Sequence, residues 1–288
     1  MGKVFDALKR AGESKDSVQE NVVAQQLPKM DITEATSKGE SEPAPPEKAR
    51  TAPGVWDERL SLATATTGPV AESIRALRTR ILFPSSGPIP RSILVTSAAP
   101  GEGKSFICAN LGISLAQGMD NYCLLVDCDL RRPTQHDLFG LENRAGLSDY
   151  LQQKKQLSEL LVPSGVDKLS VLQAGAHSIN PAELLSSASM VGLVEEISRR
   201  YDDRIVLLDS PPLHAASETA VLAQHVDGVV LVVRYGASRR EYVKALADTI
   251  GREKILGVVF NAYKATVLDY KVFGYYEYQQ DYYVNRPK

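Results

Sequence analysis

The feature that most constrains the fold is an apolar run followed at once by a glycine-bearing loop and a helical pattern. Residues 93–95 predict a strand, Gly101 to Ser105 form the end of the loop, and residues 106–116 have helical periodicity. That order is the context that a phosphate-binding loop requires. Ala98 stands where the usual pattern begins with glycine. The stretch nevertheless predicts a P-loop nucleotide-binding domain.

The residues of this loop have separate expected roles. Backbone amides would face a polyphosphate, whose charge the helix N-terminus favours. Lys104 is expected to reach the β- and γ-phosphates, and the Ser105 hydroxyl is expected to bind Mg²⁺. The predicted nucleotide-binding residues are Ala99, Pro100, Gly101, Glu102, Gly103, Lys104 and Ser105.

Acidic residues follow two further strand patterns. Asp127 and Asp129 close the apolar run 124–126, and strand alternation places them on the same side. Asp209 closes the run 205–208 and has the form of a Walker B acid, which holds the Mg²⁺ shell. Open parallel sheets bind ligands at these C-terminal strand ends. Because neighbouring carboxylates repel unless a metal or a cation neutralises them, the pattern again predicts a cation–nucleotide site.

The rest of the central region alternates between strand and helix patterns. We expect strands at 168–173, 204–209, 228–233 and 255–260, and helices at 70–83, 191–200, from Ser217 and at 238–250. Residues 145–161 predict short helices with Ser148 as a cap, and Asn180 with Pro181 predicts another helix start. This alternation indicates an α/β fold, a mostly parallel doubly wound sheet flanked by helices.

The chain is predicted to have four parts. Residues 1–11 predict a short amphipathic segment, either a docking peptide or a frayed start. Residues 12–60 are rich in Glu, Ser, Lys, Thr, Gln and Pro, which predicts a disordered linker. The P-loop domain is expected to occupy 61–262, and 263–288 form a tail.

The tail contains seven of the chain's 12 tyrosines. An aromatic segment packed on the sheet or on a partner would account for them, since tyrosine suits interfaces. The residues between them are mainly Lys, Asp, Gly, Glu and Gln rather than aliphatic. Their polarity favours the other interpretation, a flexible tail that is itself a substrate.

Composition, charge and short motifs argue against several classes of function and location. The formal net charge of −2 gives no global indication of nucleic-acid binding. The apolar runs are far shorter than the ~18 residues of a membrane helix. Met1-Gly2 begins like a myristoylation signal, but Asp6 stands where Ser or Thr is needed. The three cysteines form no C-x-x-C pair, so reduced thiols in a cytosolic protein are expected.

From about Val70 onwards the chain resembles the bacterial tyrosine kinases (BY-kinases) of capsule and exopolysaccharide loci. The resemblance lies in Ala98–Ser105 as Walker A, Asp127–Arg131 as the family's Walker A′ element, Asp209–Pro212 as Walker B, and the tyrosine tail. It implies an ATP-dependent protein-tyrosine autokinase that regulates exopolysaccharide or capsule assembly and export.

The same resemblance implies roles for particular residues. Lys104 would neutralise the phosphates of ATP, while Ser105, Asp129 and Asp209 would hold Mg²⁺. Asp127 would orient the incoming tyrosine and accept its proton, and Asn261 lies where relatives contact adenine. The implied autophosphorylation sites are Tyr270, Tyr275, Tyr276, Tyr278, Tyr282 and Tyr283, and the implied ring-assembly motif is Glu72, Arg75 and Arg78.

The resemblance also implies partners and a location. The family works with a membrane chain-length-determinant (co-polymerase) protein that activates the kinase, with a cognate phosphotyrosine phosphatase, and as a homo-oligomeric ring. The chain would then be cytoplasmic and recruited to the inner face of the membrane through that partner. Two alternatives stay open: a partition- or positioning-type switch ATPase, and a nucleotide-binding scaffold whose tail only docks. Ala99 stands where the switch ATPases carry a signature lysine, which disfavours the first alternative.

Overall fold

The computed structural model of the protein describes residues 55–60, 68–176, 180–199, 203–213 and 216–263. The predicted N-terminal segment, most of the predicted linker and every tail tyrosine except Tyr263 lie outside these ranges. Within the described ranges, every helix is too short or too polar to span a bilayer. The three cysteines are buried free thiols.

A seven-stranded sheet forms the centre of the domain. Its strands are β1 (Ser92–Ser97), β2 (Tyr122–Asp127), β3 (Leu161–Pro163), β4 (Leu169–Leu172), β5 (Arg204–Asp209), β6 (Gly228–Arg234) and β7 (Ile255–Asn261). They lie in the order β3-β4-β2-β5-β1-β6-β7. All neighbouring pairs are parallel except β3 with β4, which is antiparallel. The predicted mostly parallel sheet is therefore confirmed.

The register of this sheet brings the predicted acids together. Residue Asp127 of β2 pairs with Asp209 of β5, and Asp209 also pairs with Val95 of β1. The three strands therefore end side by side, directly below the loop that follows β1. A one-residue slip would turn the carboxylates to the opposite face, so the apolar packing that fixes the register also fixes the site.

Helices cover both faces of the sheet. They are α1 (Pro69–Leu82), α2 (Lys104–Ala116), α3 (Gln135–Leu138), α4 (Leu147–Leu151), α5 (Leu157–Leu160), α6 (Pro181–Leu185), α7 (Ala188–Arg199), α8 (Glu218–His225) and α9 (Arg240–Ile250). Short 3₁₀ turns occupy Glu58–Leu60 and Arg252–Lys254. Most predicted elements are present with shifted ends, but strand β3 and helix α3 were not predicted. Residue Ser148 is not the predicted cap: it lies inside α4, which is capped at Gly146.

Two apolar cores form because strand residues alternate between the faces. Leu94 of β1 belongs to the core under α6 to α9, whereas its neighbours Ile93 and Val95 belong to the core under α1 and α2. The interior strands are buried along almost their whole length, as expected of parallel strands covered on both sides. The C-terminal ends of these strands differ, because they carry polar side chains. These side chains form the candidate active site.

The segment from Val55 to Leu60 packs on the domain. Leu60 is fully buried in the core beneath α1 and α2. Trp56 packs edge-to-face on Phe139 with ring centroids 6.0 Å apart, and its indole N–H donates to the Ser164 carbonyl at 3.2 Å. The structure differs here from the predicted linker, which extended to residue 60. Local composition favoured disorder, but these two side chains find apolar partners far along the chain.

Replacing Leu60 by alanine should destabilise the domain, although residue 60 precedes the predicted domain boundary. A buried Leu→Ala change costs about 2–5 kcal/mol because it removes apolar contacts and leaves a cavity. Denaturant unfolding would measure the loss. The control Val55→Ala removes a side chain that is 95% exposed and should change the unfolding free energy by less than about 0.5 kcal/mol. Equal stability of the two variants would show that the segment does not contribute to the fold.

Candidate active site

The phosphate loop connects the end of β1 to the start of α2. Gly101 and Gly103 have φ angles of 77° and 92°, a left-handed conformation that favours glycine. At Gly103 a Cβ atom would also lie 2.0 Å from the side-chain nitrogen of Asn261. Ala98, which replaces the first glycine of the usual pattern, does not adopt a positive φ. Alanine at that position is therefore compatible with the loop.

A buried carboxylate holds this loop from within. Glu102 is 4% exposed, and its Oε2 accepts the backbone N–H groups of Ala98 at 2.9 Å and Ala99 at 3.2 Å. The Ser238 hydroxyl donates to the other carboxylate oxygen of Glu102. The start of the loop is thus folded around a side chain from its own end and is tied to the segment after β6. Glu102 was predicted as a loop residue, whereas its partner Ser238, which lies 136 positions away, was not predicted.

Asn261 also contacts the loop. Its side-chain amide donates to the Glu102 carbonyl at 2.9 Å, and its own carbonyl accepts the backbone N–H of Tyr235 at 2.9 Å. The end of β7 therefore supports the phosphate loop directly. The predicted contact of Asn261 with adenine stays a prediction.

Lys104 is held between two of the predicted acids. Its Nζ lies 2.9 Å from Asp129 Oδ2 and 3.9 Å from Asp209 Oδ1, and it donates to the Ser105 hydroxyl at 3.1 Å. Burial by itself would lower the pKa of Lys104, but the carboxylates of Asp209 and Asp129 outweigh it and raise the pKa. The lysine is therefore charged in this arrangement.

Asp127 is fully buried, and its charge also acts on Lys104. Its Oδ1 accepts the N–H of Asp129 at 3.1 Å, and its Oδ2 accepts those of Thr134 at 3.1 Å and Gln135 at 3.0 Å. Burial, with the neighbouring charge of Asp209, raises the pKa of Asp127 to about 8, and these backbone hydrogen bonds oppose the rise. Asp127 is thus fixed in orientation and binds a proton more readily than an exposed aspartate.

Asp209 is fully buried as well, and its two carboxylate oxygens differ in their hydrogen bonding. Oδ2 accepts a hydrogen bond from the side-chain amide of Gln135 at 2.8 Å. Oδ1 is buried and accepts no hydrogen bond from the described residues. Burial raises the pKa of Asp209, while the charge of Lys104, the Ser105 hydroxyl and the hydrogen bond from Gln135 oppose the rise. Lys104 thus offsets only part of the negative charge that Asp127, Asp129 and Asp209 can carry. The site can therefore bind a further cation.

The donor set fits Mg²⁺. That ion prefers oxygen ligands and is bound through one or two carboxylates, substrate phosphates and water rather than by an all-protein cage. Asp209 Oδ1, Asp129 and the Ser105 hydroxyl supply such oxygens beside the loop. Within the described ranges, no group of three or more His, Cys, Asp or Glu side chains is arranged to hold a metal ion by itself.

Other predicted site residues lie away from this centre. On α1, Arg75 pairs with Glu72 of the same helix at 2.5 Å, and Arg78 donates to the Ser114 carbonyl at the end of α2 at 2.9 Å. Tyr263 begins the predicted tail but was not among the predicted phosphorylation sites, and it packs edge-to-face on Tyr235 with ring centroids 4.7 Å apart. The six predicted phosphorylation sites lie outside the described residues. The roles assigned to all of these residues stay predictions.

The fold and the site define a nucleotide-binding domain, and comparison with known proteins supports this. The family model described as CobQ/CobB/MinD/ParA nucleotide binding domain matches residues 93–273. The septum site-determining protein MinD of Pyrococcus horikoshii aligns with a TM-score of 0.52 at 19% identity, covering 62% of this chain and 72% of that chain. At that identity the likeness shows the fold alone.

The nearer similarities are to tyrosine-protein kinases. YwqD of Bacillus subtilis is 38% identical over 208 residues, which cover 72% of this chain and 86% of YwqD. CapB of Staphylococcus aureus, named a putative tyrosine-protein kinase, is 31% identical over 74% of this chain and 91% of its own. The Escherichia coli ETK kinase domain aligns with a TM-score of 0.65 at 29% identity, covering 77% of this chain and 87% of that domain. The chain therefore belongs to the bacterial tyrosine-protein kinases, as its motifs predicted.

Relatives in this family differ in length. Wzc of Salmonella typhimurium is 30% identical over 238 residues, which are 81% of this chain but 33% of Wzc. The present chain thus matches nearly all of YwqD and CapB and one third of Wzc.

Replacing Glu102 should weaken nucleotide binding by loosening the loop. Glu102→Ala removes the acceptor of two backbone N–H groups and should lower affinity roughly tenfold to a hundredfold, the range for hydrogen bonds to a charged group. Glu102→Gln retains an oxygen for those N–H groups and should bind nearly as the parent does. Titration with a fluorescent ADP analogue would measure both. If the alanine variant bound as tightly as the glutamine variant, the carboxylate would not be what shapes the loop.

Proposed function

We propose that this protein is an ATP-dependent tyrosine autokinase that phosphorylates its own C-terminal tyrosines and thereby regulates capsule or exopolysaccharide assembly and export. The observation that supports this most strongly is the convergence of Lys104, Asp127, Asp129 and Asp209 beneath the phosphate loop of a chain in the tyrosine-kinase family. The carboxylates of Asp129 and Asp209 lie beside Lys104, the residue proposed to contact the transferred phosphate.

ATP and Mg²⁺ are the proposed cofactors. Lys104 and the loop amides would bind the β- and γ-phosphates, and Ser105, Asp129 and Asp209 would hold Mg²⁺. The bound metal would offset the negative charge that develops on the transferred phosphoryl group. Lys104 now pairs with Asp129 at 2.9 Å, so phosphates that attract the lysine would free Asp129 for the metal shell. Asn261 is proposed to contact the adenine.

Asp127 is proposed to orient the incoming tyrosine and to take its proton. The phenolic oxygen would attack the γ-phosphorus, the bond from that phosphorus to the bridging β–γ oxygen would break, ADP would leave, and the proton would end on Asp127. A free carboxylate near pKa ~4 is a weak base for a phenol near pKa ~10. Burial raises the pKa of Asp127 to about 8, which narrows this gap but leaves the carboxyl largely protonated at pH 7. The positive charge of a bound Mg²⁺ would favour its ionised form, which can accept the proton. Because phosphoryl transfer is largely dissociative, it needs little early deprotonation.

The tail and the partners complete the proposal. Tyr263 is the last residue that the structure describes, and an extended chain spans up to ~3.5 Å per residue. The tail therefore has the reach to enter its own site or that of a neighbouring subunit. A membrane co-polymerase protein would activate the kinase and hold this otherwise cytoplasmic protein at the membrane, and a cognate phosphatase would remove the phosphates.

The phosphate-loop lysine and the buried aspartate should have separable effects. Lys104→Met should lower tail phosphorylation by roughly a hundredfold or more, because it removes a charge aimed at the transferred phosphate. Asp127→Asn should lose transfer while it retains Mg²⁺-dependent nucleotide binding. A phosphotyrosine blot after incubation with ATP, together with fluorescent ADP titration, would measure the two quantities.

Lys244→Met is the matched control, since Lys244 is exposed on α9. It should phosphorylate its tail like the parent protein. Unchanged phosphotyrosine in a folded Lys104→Met variant would exclude this active site. Equal losses of binding and transfer in Asp127→Asn would remove the proposed role of that carboxylate.

Assembly is proposed to depend on the charged face of α1. The residues that would contact a neighbouring subunit are Glu72, Arg75 and Arg78. A single exposed ion pair stabilises by only ~0–1 kcal/mol, but a closed ring repeats the contact at every interface, so the contacts act cooperatively. Both arginines also bond within the chain, Arg75 to Glu72 of the same face and Arg78 to the Ser114 carbonyl of α2, so Arg75→Ala tests the charged face without removing the contact between α1 and α2. Each phosphate on the tail adds roughly −1.5 to −2 charge and would repel the acidic site, which should release the tail and loosen the ring.

Light scattering would measure this assembly as mass in solution. Unphosphorylated Lys104→Met protein should be the larger species, and adding Arg75→Ala to it should reduce the mass to that of a monomer. Arg80→Ala, which changes an exposed arginine of the same helix, should leave the mass unchanged. Phosphorylated parent protein should also be monomeric. An equal mass for the phosphorylated and unphosphorylated forms would contradict the release mechanism without affecting the kinase assignment.

A further inference from the structure

Gln135 is a buried polar residue that joins three parts of the site and that the motif pattern did not single out. It is the first residue of α3, and its side chain is fully buried. Its backbone N–H donates to Asp127 Oδ2 at 3.0 Å. Its side-chain Nε2 donates to Asp209 Oδ2 at 2.8 Å and to the Ser105 carbonyl at 3.2 Å. One residue thus contacts the Walker A′ acid, the Walker B acid and the start of α2.

The bond to Asp209 makes the two oxygens of that carboxylate unequal. Oδ2 is occupied by the Gln135 amide, whereas Oδ1 accepts no hydrogen bond within the described ranges and lies 3.9 Å from Lys104 Nζ. Without the amide, the carboxylate could rotate and present either oxygen. With it, Oδ1 is the oxygen left for the metal shell.

The oxygen of the Gln135 side-chain amide gives a second reason to connect this residue with the metal site. Its Oε1 is buried and has no hydrogen-bond partner in the described part of the chain. A buried acceptor without a partner is costly in a finished structure, because it has lost its hydration. A water of the Mg²⁺ shell beside Asp209 would supply the missing donor, since Mg²⁺ usually retains several waters.

We propose that Gln135 is a positioning residue for the Mg²⁺–nucleotide site: it orients Asp209 so that Oδ1 faces the metal, and it links that carboxylate to the Ser105 peptide. Such outer contacts tune the affinity of a site for its metal. The inference rests on the proposed nucleotide site but not on transfer to tyrosine. Gln135 contacts Asp127 only through its backbone, so a side-chain substitution should leave the proposed proton acceptor in place.

The test uses the full chain and the substitution Gln135→Met, which retains side-chain length and removes the amide. The concentration of Mg²⁺ that gives half-maximal binding of a fluorescent ADP analogue should rise on the order of tenfold to a hundredfold, as expected when a hydrogen bond to a charged group is lost. Binding without Mg²⁺ should change little. At saturating Mg²⁺ the rate of tail phosphorylation should recover towards that of the parent, because Asp127 is undisturbed.

Gln173→Met is the matched control. Gln173 is also buried and follows β4 at the same edge of the sheet, but its side chain accepts the N–H of Arg144 and lies outside the phosphate site. This variant should have the Mg²⁺ requirement of the parent. An unchanged requirement in folded Gln135→Met, or an equal rise in both variants, would overturn the proposal.

A second variant keeps the test decisive if Gln135→Met does not fold. Gln135→Asn keeps a neutral amide but is one methylene shorter, so its donor is withdrawn from Asp209 Oδ2. It should also raise the Mg²⁺ requirement, whereas parent-like behaviour would refute the inference. Protein that binds nucleotide in an Mg²⁺-dependent way but makes no phosphotyrosine would refute the proposed kinase function and leave this inference standing.

Discussion

The structure depends on holding negative charge in a buried place. Asp127 and Asp209 are fully buried at neighbouring strand ends, where an isolated carboxylate would be strongly disfavoured. Lys104, three backbone N–H groups and the Gln135 amide offset part of that cost. The offset is incomplete, as the raised pKa values of both aspartates show. The site is therefore stable enough to form and still favours the arrival of another cation.

The parallel sheet makes this arrangement possible. Strand β5 lies between β2 and β1, so the Walker B acid is a direct neighbour of both the Walker A′ acid and the strand that leads into the phosphate loop. Parallel strands end at the same edge, where residues distant in sequence become adjacent without any contact between their local segments. Two apolar faces covered by helices fix the register. The chemistry at the edge is thus positioned by packing that takes no part in it.

This division explains what could be predicted from the sequence and what could not. The strands, the loop, Lys104 and the acids follow local patterns, because a buried strand is continuously apolar and a phosphate loop has a fixed spacing. Gln135 and Ser238 carry no such signal: their roles come from contacts with Asp209 and Glu102, which lie 74 and 136 positions away. The packing of Trp56 on the domain could not be predicted for the same reason, because its hydrogen-bond partner Ser164 lies 108 positions away. Local composition indicates the conformation that a segment favours by itself. These residues are instead positioned by contacts with distant parts of the chain, which local composition does not reveal.

The two supports found only in the structure reach the site from different strands of the sheet. Glu102 and Ser238 hold the start of the loop from the β6 side, and Gln135 holds Asp209 and the Ser105 peptide from the β2 side. Groups fixed in advance need less rearrangement when charge develops during transfer, which is how a preorganised polar site accelerates a reaction. Glu102 and Gln135 are buried polar residues, which well-packed apolar side chains would replace at little cost to stability. Their presence at this edge is therefore better explained by the charge that the site must stabilise than by the stability of the fold.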